Sequence, residues 1–163
     1  MRLLVVHHSP TRSMQALTEA VLAGAADPQI EGVEVVARPA LEAVAADVLA
    51  ADGYVLGSTA NFGYMAGAVK HFFDTTFLQV GGSLDEHGGA GESAGATAKR
   101  PFGLYVHGRY DTTGAVRSIL SITGALGWKQ AAAVQEVLGD VDDAAIERAY
   151  ELGATIAALL MQE

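Results

Sequence analysis

The chain has no cysteine, so no disulfide braces it and no thiolate does its chemistry. It is short of cations: 10 lysines and arginines stand against 19 acidic residues, a formal net charge of -9 at pH 7. Such a deficit argues against a general nucleic-acid binder and repels anions at long range. Any phosphate site must therefore work through local donors. No apolar run is long enough to span a bilayer, and the first strand starts almost at Met1, leaving no room for a signal peptide. A cytoplasmic protein is the expectation, with neither nucleic acid nor membrane as partner. No repeat of solenoid period is visible. With 163 residues the chain can bury one full core, and a single domain over 1–163 is expected.

What is present is an alternation of short apolar runs and helical periods. Leu3 to Val6 reads as a buried strand that Pro10 ends. A helix follows, from about Ser13 to Gly24 or Ala25, with Met14, Leu17 and Val21 on one face. Val33 to Ala37 reads as a second strand, and Leu41, Val44 and Val48 outline a short helix. Tyr54 to Leu56 is a third strand, followed by a helix carrying Met65, Val69, Phe72 and Phe73. Pro101 to Val106 is a fourth, before a helix that Thr112 or Thr113 caps and Gly127 stops. Ala131 to Val137 is the fifth, and a last helix starts at Asp142 or Asp143 with Ile146, Tyr150, Gly153 and Ala157 toward the sheet. This pattern predicts an α/β fold: a doubly wound, five-stranded parallel sheet with helices on both faces. Residues 81–100 are glycine-rich with little to bury, and read as a flexible loop within the domain, or as a lid over a site.

Three loops stand out chemically. After the first strand come Ser9, Thr11, Arg12, Ser13 and Met14, three hydroxyls and a guanidinium at a helix start. Such a set suits phosphate, through free N–H groups and the helix dipole; Ser9 or Ser13 also serves as a plain N-cap. After the third strand come Thr59, Ala60, Asn61, Phe62, Gly63 and Tyr64. Gly57 and Gly63 allow tight turning, and the aromatics suit the face of a planar heterocycle or simply fill an apolar corner. After the fourth come His107, Gly108, Arg109, Tyr110 and Asp111. In the strand order 2-1-3-4-5 these loops converge where the order reverses, the place where open parallel sheets bind ligands.

Those residues carry a resemblance to the flavodoxin-like family, in particular to its NAD(P)H-dependent FMN reductases and quinone reductases. Ser9-x-Thr11-x-Ser13 resembles the hydroxyl-rich phosphate loop. Gly57 to Gly67 is similar to the second flavin loop of the quinone reductases, where Gly-x-Pro-Thr-x-Phe-Gly-x-Met is typical; Thr59 stands for the proline and Ala60 for the threonine. His107 to Gly114 matches the third flavin loop in position. The resemblance implies non-covalent FMN, its phosphate held by Ser9, Thr11, Arg12, Ser13 and the Met14 amide. Its ring would be flanked by Thr59 to Tyr64 and His107 to Asp111. It implies reduction of FMN or a quinone by NADH or NADPH, or alternatively an electron carrier docking to a redox partner protein, or a flavin-free domain of the same fold. Arg109 and His107 make the third loop mildly positive, which favours the reductase. Oligomeric state is left open, a homo-oligomer included.

Other uses of the fold fail on the residues. A receiver domain needs carboxylates where His7-His8 and Gly57-Ser58-Thr59 stand. No dinucleotide turn, Walker lysine or hydrolase elbow is visible. His7 and His8 point to opposite faces of a strand, which disfavours a shared metal. No side chain is identified as a catalytic acid or base.

Overall fold

The computed structural model describes residues 1–89, 91 and 95–161. Its elements in order are β1 (Arg2–His7), α1 (Arg12–Ala25), β2 (Glu34–Pro39), α2 (Ala45–Ala50), β3 (Gly53–Asn61), β4 (Tyr64–Met65), α3 (Gly67–Thr76), β5 (Pro101–Gly108), α4 (Thr113–Ala125), β6 (Lys129–Gln130), β7 (Gln135–Leu138) and α5 (Asp143–Leu160). The sheet runs β2-β1-β3-β5-β6, with β7 also paired to β5; all these pairings are parallel. This is the expected order, the fifth strand being split into β6 and β7. The split has a local cause visible in the register: residues 131–134 stand opposite only Gly103 and Leu104, so the edge strand carries surplus chain there and unpairs. β4 is an addition, a two-residue antiparallel partner of β3.

Alternate residues feed opposite faces. Leu3, Val5, Val55 and Tyr105 pack under α1 and α5; Leu4, Val6, Leu56, Leu104 and Val106 pack under α2, α3 and α4. Both faces are covered, which is why the strands read as unbroken apolar runs. Three expectations about faces need correcting. Leu41 and Val44 are exposed; Ala43, Ala45, Val48 and Ala51 are the buried residues there, because the helix starts later than the apolar spacing implied. Ile146 and Tyr150 are only half-buried, since the sheet side of α5 is Ala145, Ala149, Leu152 and Ile156. Gly153 instead meets α1: a Cβ there would lie 2.0 Å from the Val21 carbonyl oxygen.

The 81–100 connection is pinned at its far end. Thr97 is fully buried, donates to the Val80 carbonyl at 2.7 Å and accepts from Trp128 Nε1 at 2.9 Å. The Arg100 guanidinium donates to the carbonyls of Val48 and Ala51, at 2.9 and 2.5 Å. Leu84 and Gly88 border a groove with Phe77, Leu78 and Ala125, at the C-terminal ends of α3 and α4. The described part of the loop therefore lies at the base of the sheet, away from the carboxyl ends of the strands, and does not form a lid there. Residues 90 and 92–94 of the expected flexible stretch lie outside the described residues.

Candidate functional site

The first loop is built by the end of β1 and the start of α1. Pro10 ends the strand, and Thr11 is the N-cap, its hydroxyl accepting from the Met14 amide at 3.2 Å. The cap is thus neither Ser9 nor Ser13. Ser9 turns inward: its hydroxyl lies 2.9 Å from His7 Nδ1 and 2.8 Å from Thr18 Oγ1, and Thr18 in turn meets the Tyr105 hydroxyl at 2.7 Å. Gln15 fixes the loop by donating to the Ser9 carbonyl at 3.2 Å. Among the described residues, the Arg12 guanidinium, the Ser13 hydroxyl and the amides of both have no partner. The first loop therefore offers a cation, a hydroxyl and two N–H groups to an anion. Burial lowers the pKa of His7, the neighbouring His8 adds to this, and Glu42 opposes it.

The second loop is a hairpin rather than an irregular segment. β3 runs on to Asn61, and Phe62 and Gly63 form a two-residue turn, both with positive φ, 52° and 79°. That turn class suits Asn-Gly; Phe62 occupies its first position with the ring fully exposed. A non-glycine residue held in the left-handed region stores backbone strain, and such strain collects at ligand sites. Phe62→Gly should therefore stabilise the ligand-free chain, by about 0.5–1 kcal/mol, since strain relief outweighs glycine's extra entropy and no burial is lost. Urea unfolding would measure it; a loss of stability would show that the ring packs.

Gly57 does not turn the chain. It lies within β3, and a Cβ there would fall 2.2 Å from the Tyr105 ring, so its role is to admit that buried tyrosine. Ser58 secures the hairpin, accepting from the Ala66 amide at 3.0 Å. Thr59 pairs with His107 across β3 and β5, just beyond the point where His8 N–H meets the Gly57 carbonyl at 3.0 Å. It faces the α1 side beside the first loop. Its hydroxyl is buried and lacks a partner among the described residues. An orphaned buried hydroxyl on the strand paired with β1 is a feature that a bound anion would satisfy.

The third loop is cross-tied. Asp111, just before the N-cap of α4, accepts from the Thr113 amide at 2.9 Å, a bond that lowers its pKa. Thr112 stands at the expected N-cap position, but its hydroxyl donates to Glu136 at 2.5 Å instead of accepting from the helix. His107 Nε2 lies 2.8 Å from the Gly139 carbonyl; a carbonyl only accepts, so that nitrogen carries a proton. Arg109 pairs with Asp140 at 2.8 Å, not with Asp111. The loop's expected positive balance is thereby offset: two carboxylates, Asp111 and Asp140, stand beside one guanidinium. Sequence reasoning missed the turn at Gly139-Asp140, a fourth loop at the same end of the sheet. Its signal was present, a Gly-Asp pair directly after an apolar strand.

The second and third loops touch. A Cβ on Gly114 would lie 2.2 Å from the Gly63 carbonyl, so the start of α4 rests on the hairpin backbone. Between them opens a crevice of about 500 Å³, lined by Ala60 to Gly63 and Arg109 to Asp111. Tyr110, almost wholly exposed, faces solvent at its rim as Phe62 does. Gly108 keeps the loops close, a Cβ there falling 3.0 Å from that of Ala60. Tyr64 is half exposed on β4 and borders the groove between α3 and α4 instead.

A flavodoxin described from the domain Archaea superposes over all of both chains with TM-score 0.78 at 16% identity. The fold is flavodoxin-like. A flavodoxin, WrbA-like protein from Agrobacterium tumefaciens shares this flavodoxin-like fold with TM-score 0.71, 17% identity and coverage of 99% and 98% of the two chains. In sequence, the flavodoxin of Aquifex aeolicus (strain VF5) is 34% identical over 84 residues, which are 52% of this chain and 44% of that protein. The chain thus spans less than half the length of that curated relative. No family model matches the chain.

Proposed function

We propose that the chain binds FMN non-covalently and carries electrons. One observation carries this reading. Unpartnered donors follow the carboxyl end of β1, and the neighbouring strand β3 carries the orphaned Thr59 hydroxyl and runs on into a crevice rimmed by two exposed aromatics. Donors at one end and aromatic faces at the other match a ligand with a terminal phosphate and a planar ring. Arg12, Ser13, Thr59 and the amides of Arg12 and Ser13 would hold the phosphate; Phe62 and Tyr110 would flank the ring, with Asn61 and residues 108–111 at its edge. Thr11 and Met14 would act through the helix cap rather than by direct contact. FMN held there supplies the redox chemistry, while the chain binds it, orients it and excludes water.

The carrier is preferred to the reductase because the expected positive third loop is absent. Asp140 and Asp111 offset Arg109, so no free cation there favours added negative charge on a bound ring. The acidic chain suits docking to a basic redox partner. The likeness of Gly57 to Gly67 to the second loop of quinone reductases favours the alternative, electrons taken from NADH or NADPH. Titration decides both points. FMN should bind with a shifted visible spectrum and riboflavin more weakly. No binding at about 100 μM FMN, weaker than small-site affinities normally fall, would sink the flavin reading. Steady oxidation of NADH or NADPH by the loaded protein would replace the carrier by the reductase.

A further inference from the structure

The polar chain beneath the first loop has a direction. Tyr105 is wholly buried, and its hydroxyl meets Thr18 Oγ1 alone among the described residues. Were it to accept that bond, its own hydrogen would be buried without an acceptor, so it donates. Thr18 then passes its hydrogen to Ser9 Oγ, and Ser9 passes its own to His7 Nδ1. That arrangement requires neutral His7 with its proton on Nε2. Ser9 has a single hydrogen, and in this state it points inward, away from anything bound in the loop.

We propose that protonation of His7 reverses the last link and turns Ser9 into a hydrogen-bond donor to phosphate bound in the first loop. The inference rests on the FMN reading. Once Nδ1 carries a proton it donates to Ser9 Oγ, which then accepts from both His7 and Thr18. The Ser9 hydrogen must leave this chain of bonds, and the open side is the loop where Arg12 and Ser13 present free donors. One proton comes from solvent with each anion bound, and no covalent bond changes except that N–H. Burial and His8 keep His7 neutral, while Glu42, between β2 and α2, favours its charged form. The other elements packed on His7 present uncharged groups: Gly57 from β3, Pro39 from β2 and Thr18 from α1, with Tyr105 beyond it. An anion in the loop would tip the balance. His7 is a positioning residue, acting through Ser9.

Ring-nitrogen NMR of the full chain tests this directly. In the ligand-free protein above the His7 midpoint, the proton should sit on Nε2. Sulfate, a dianion across the range used, should raise the His7 midpoint and leave exposed His87 almost unmoved. Calorimetry at pH 7.5, in buffers of different ionisation heat, should show proton uptake approaching one per FMN and none for riboflavin. His7→Phe should bind FMN without uptake, and Ser9→Ala should bind it several-fold more weakly, also without uptake. A proton on Nδ1 in the ligand-free neutral ring, or FMN bound with His7 still neutral, overturns the proposal. Should FMN fail to bind while sulfate still moves His7, the FMN reading falls and the switch stands. Should sulfate leave His7 unmoved, the switch falls.

Discussion

Replacing Arg12 by alanine should cost about 1.5–3 kcal/mol of FMN affinity, the range of a lost charge-assisted hydrogen bond. Riboflavin, which lacks the phosphate, should lose almost nothing. The motive is that Arg12 is exposed at the start of α1 and, among the described residues, pairs with no carboxylate, although the chain is rich in them. An arginine with acidic neighbours available and none engaged stays free for a ligand. The loss should shrink as salt rises, since an exposed cation is screened over about a Debye length. Titration calorimetry of both ligands at two ionic strengths measures all of this. Equal losses for FMN and riboflavin would place Arg12 outside the phosphate site.

A large stability effect is expected at Gly153. Gly153→Ala should destabilise by about 2–3 kcal/mol, although alanine is the better helix former. The added methyl would sit 2.0 Å from the Val21 carbonyl oxygen and 3.0 Å from the Ala25 nitrogen. Both are backbone atoms of α1 and cannot rotate aside, so the two helices must part. Gly124→Ala is the control. It lies in α4 with nothing within 4 Å of the new methyl, and there propensity alone should stabilise by about 0.5–1 kcal/mol. The same substitution thus changes sign between two helices, and urea unfolding reads both. A neutral Gly153→Ala would mean that α5 slides without cost.

The sheet order, which sets three loops at one end of the sheet, was legible because buried strands leave continuous apolar runs and parallel crossovers leave helical periods. What escaped was whatever depended on a single side chain's direction. Ser9, Thr11 and Ser13 look alike as a run of hydroxyls, yet one turns inward, one caps the helix and one stays free. Their division of labour rests on Thr18 and Tyr105, far apart in sequence, and no local spacing encodes it. Arg109 posed the same difficulty. Its partner is 31 positions away, and local reading offered only Asp111. Gly57 looked like a turn residue because the ring it accommodates comes from another strand.

The connection between α3 and β5 has a consequence for how the chain can be extended. Its tip, Glu86 and His87, is open to water, while Thr97 and Arg100 anchor its return. It hangs from the pole of the molecule opposite the crevice. A fluorescent tag or a whole second domain spliced between Glu86 and His87 would meet no catalytic geometry and strain no strand. Lengthening an already long surface loop adds little closure entropy. Growth by insertion and chemistry are thereby segregated, and this fold could acquire a tethered companion without disturbing the loops that face a ligand.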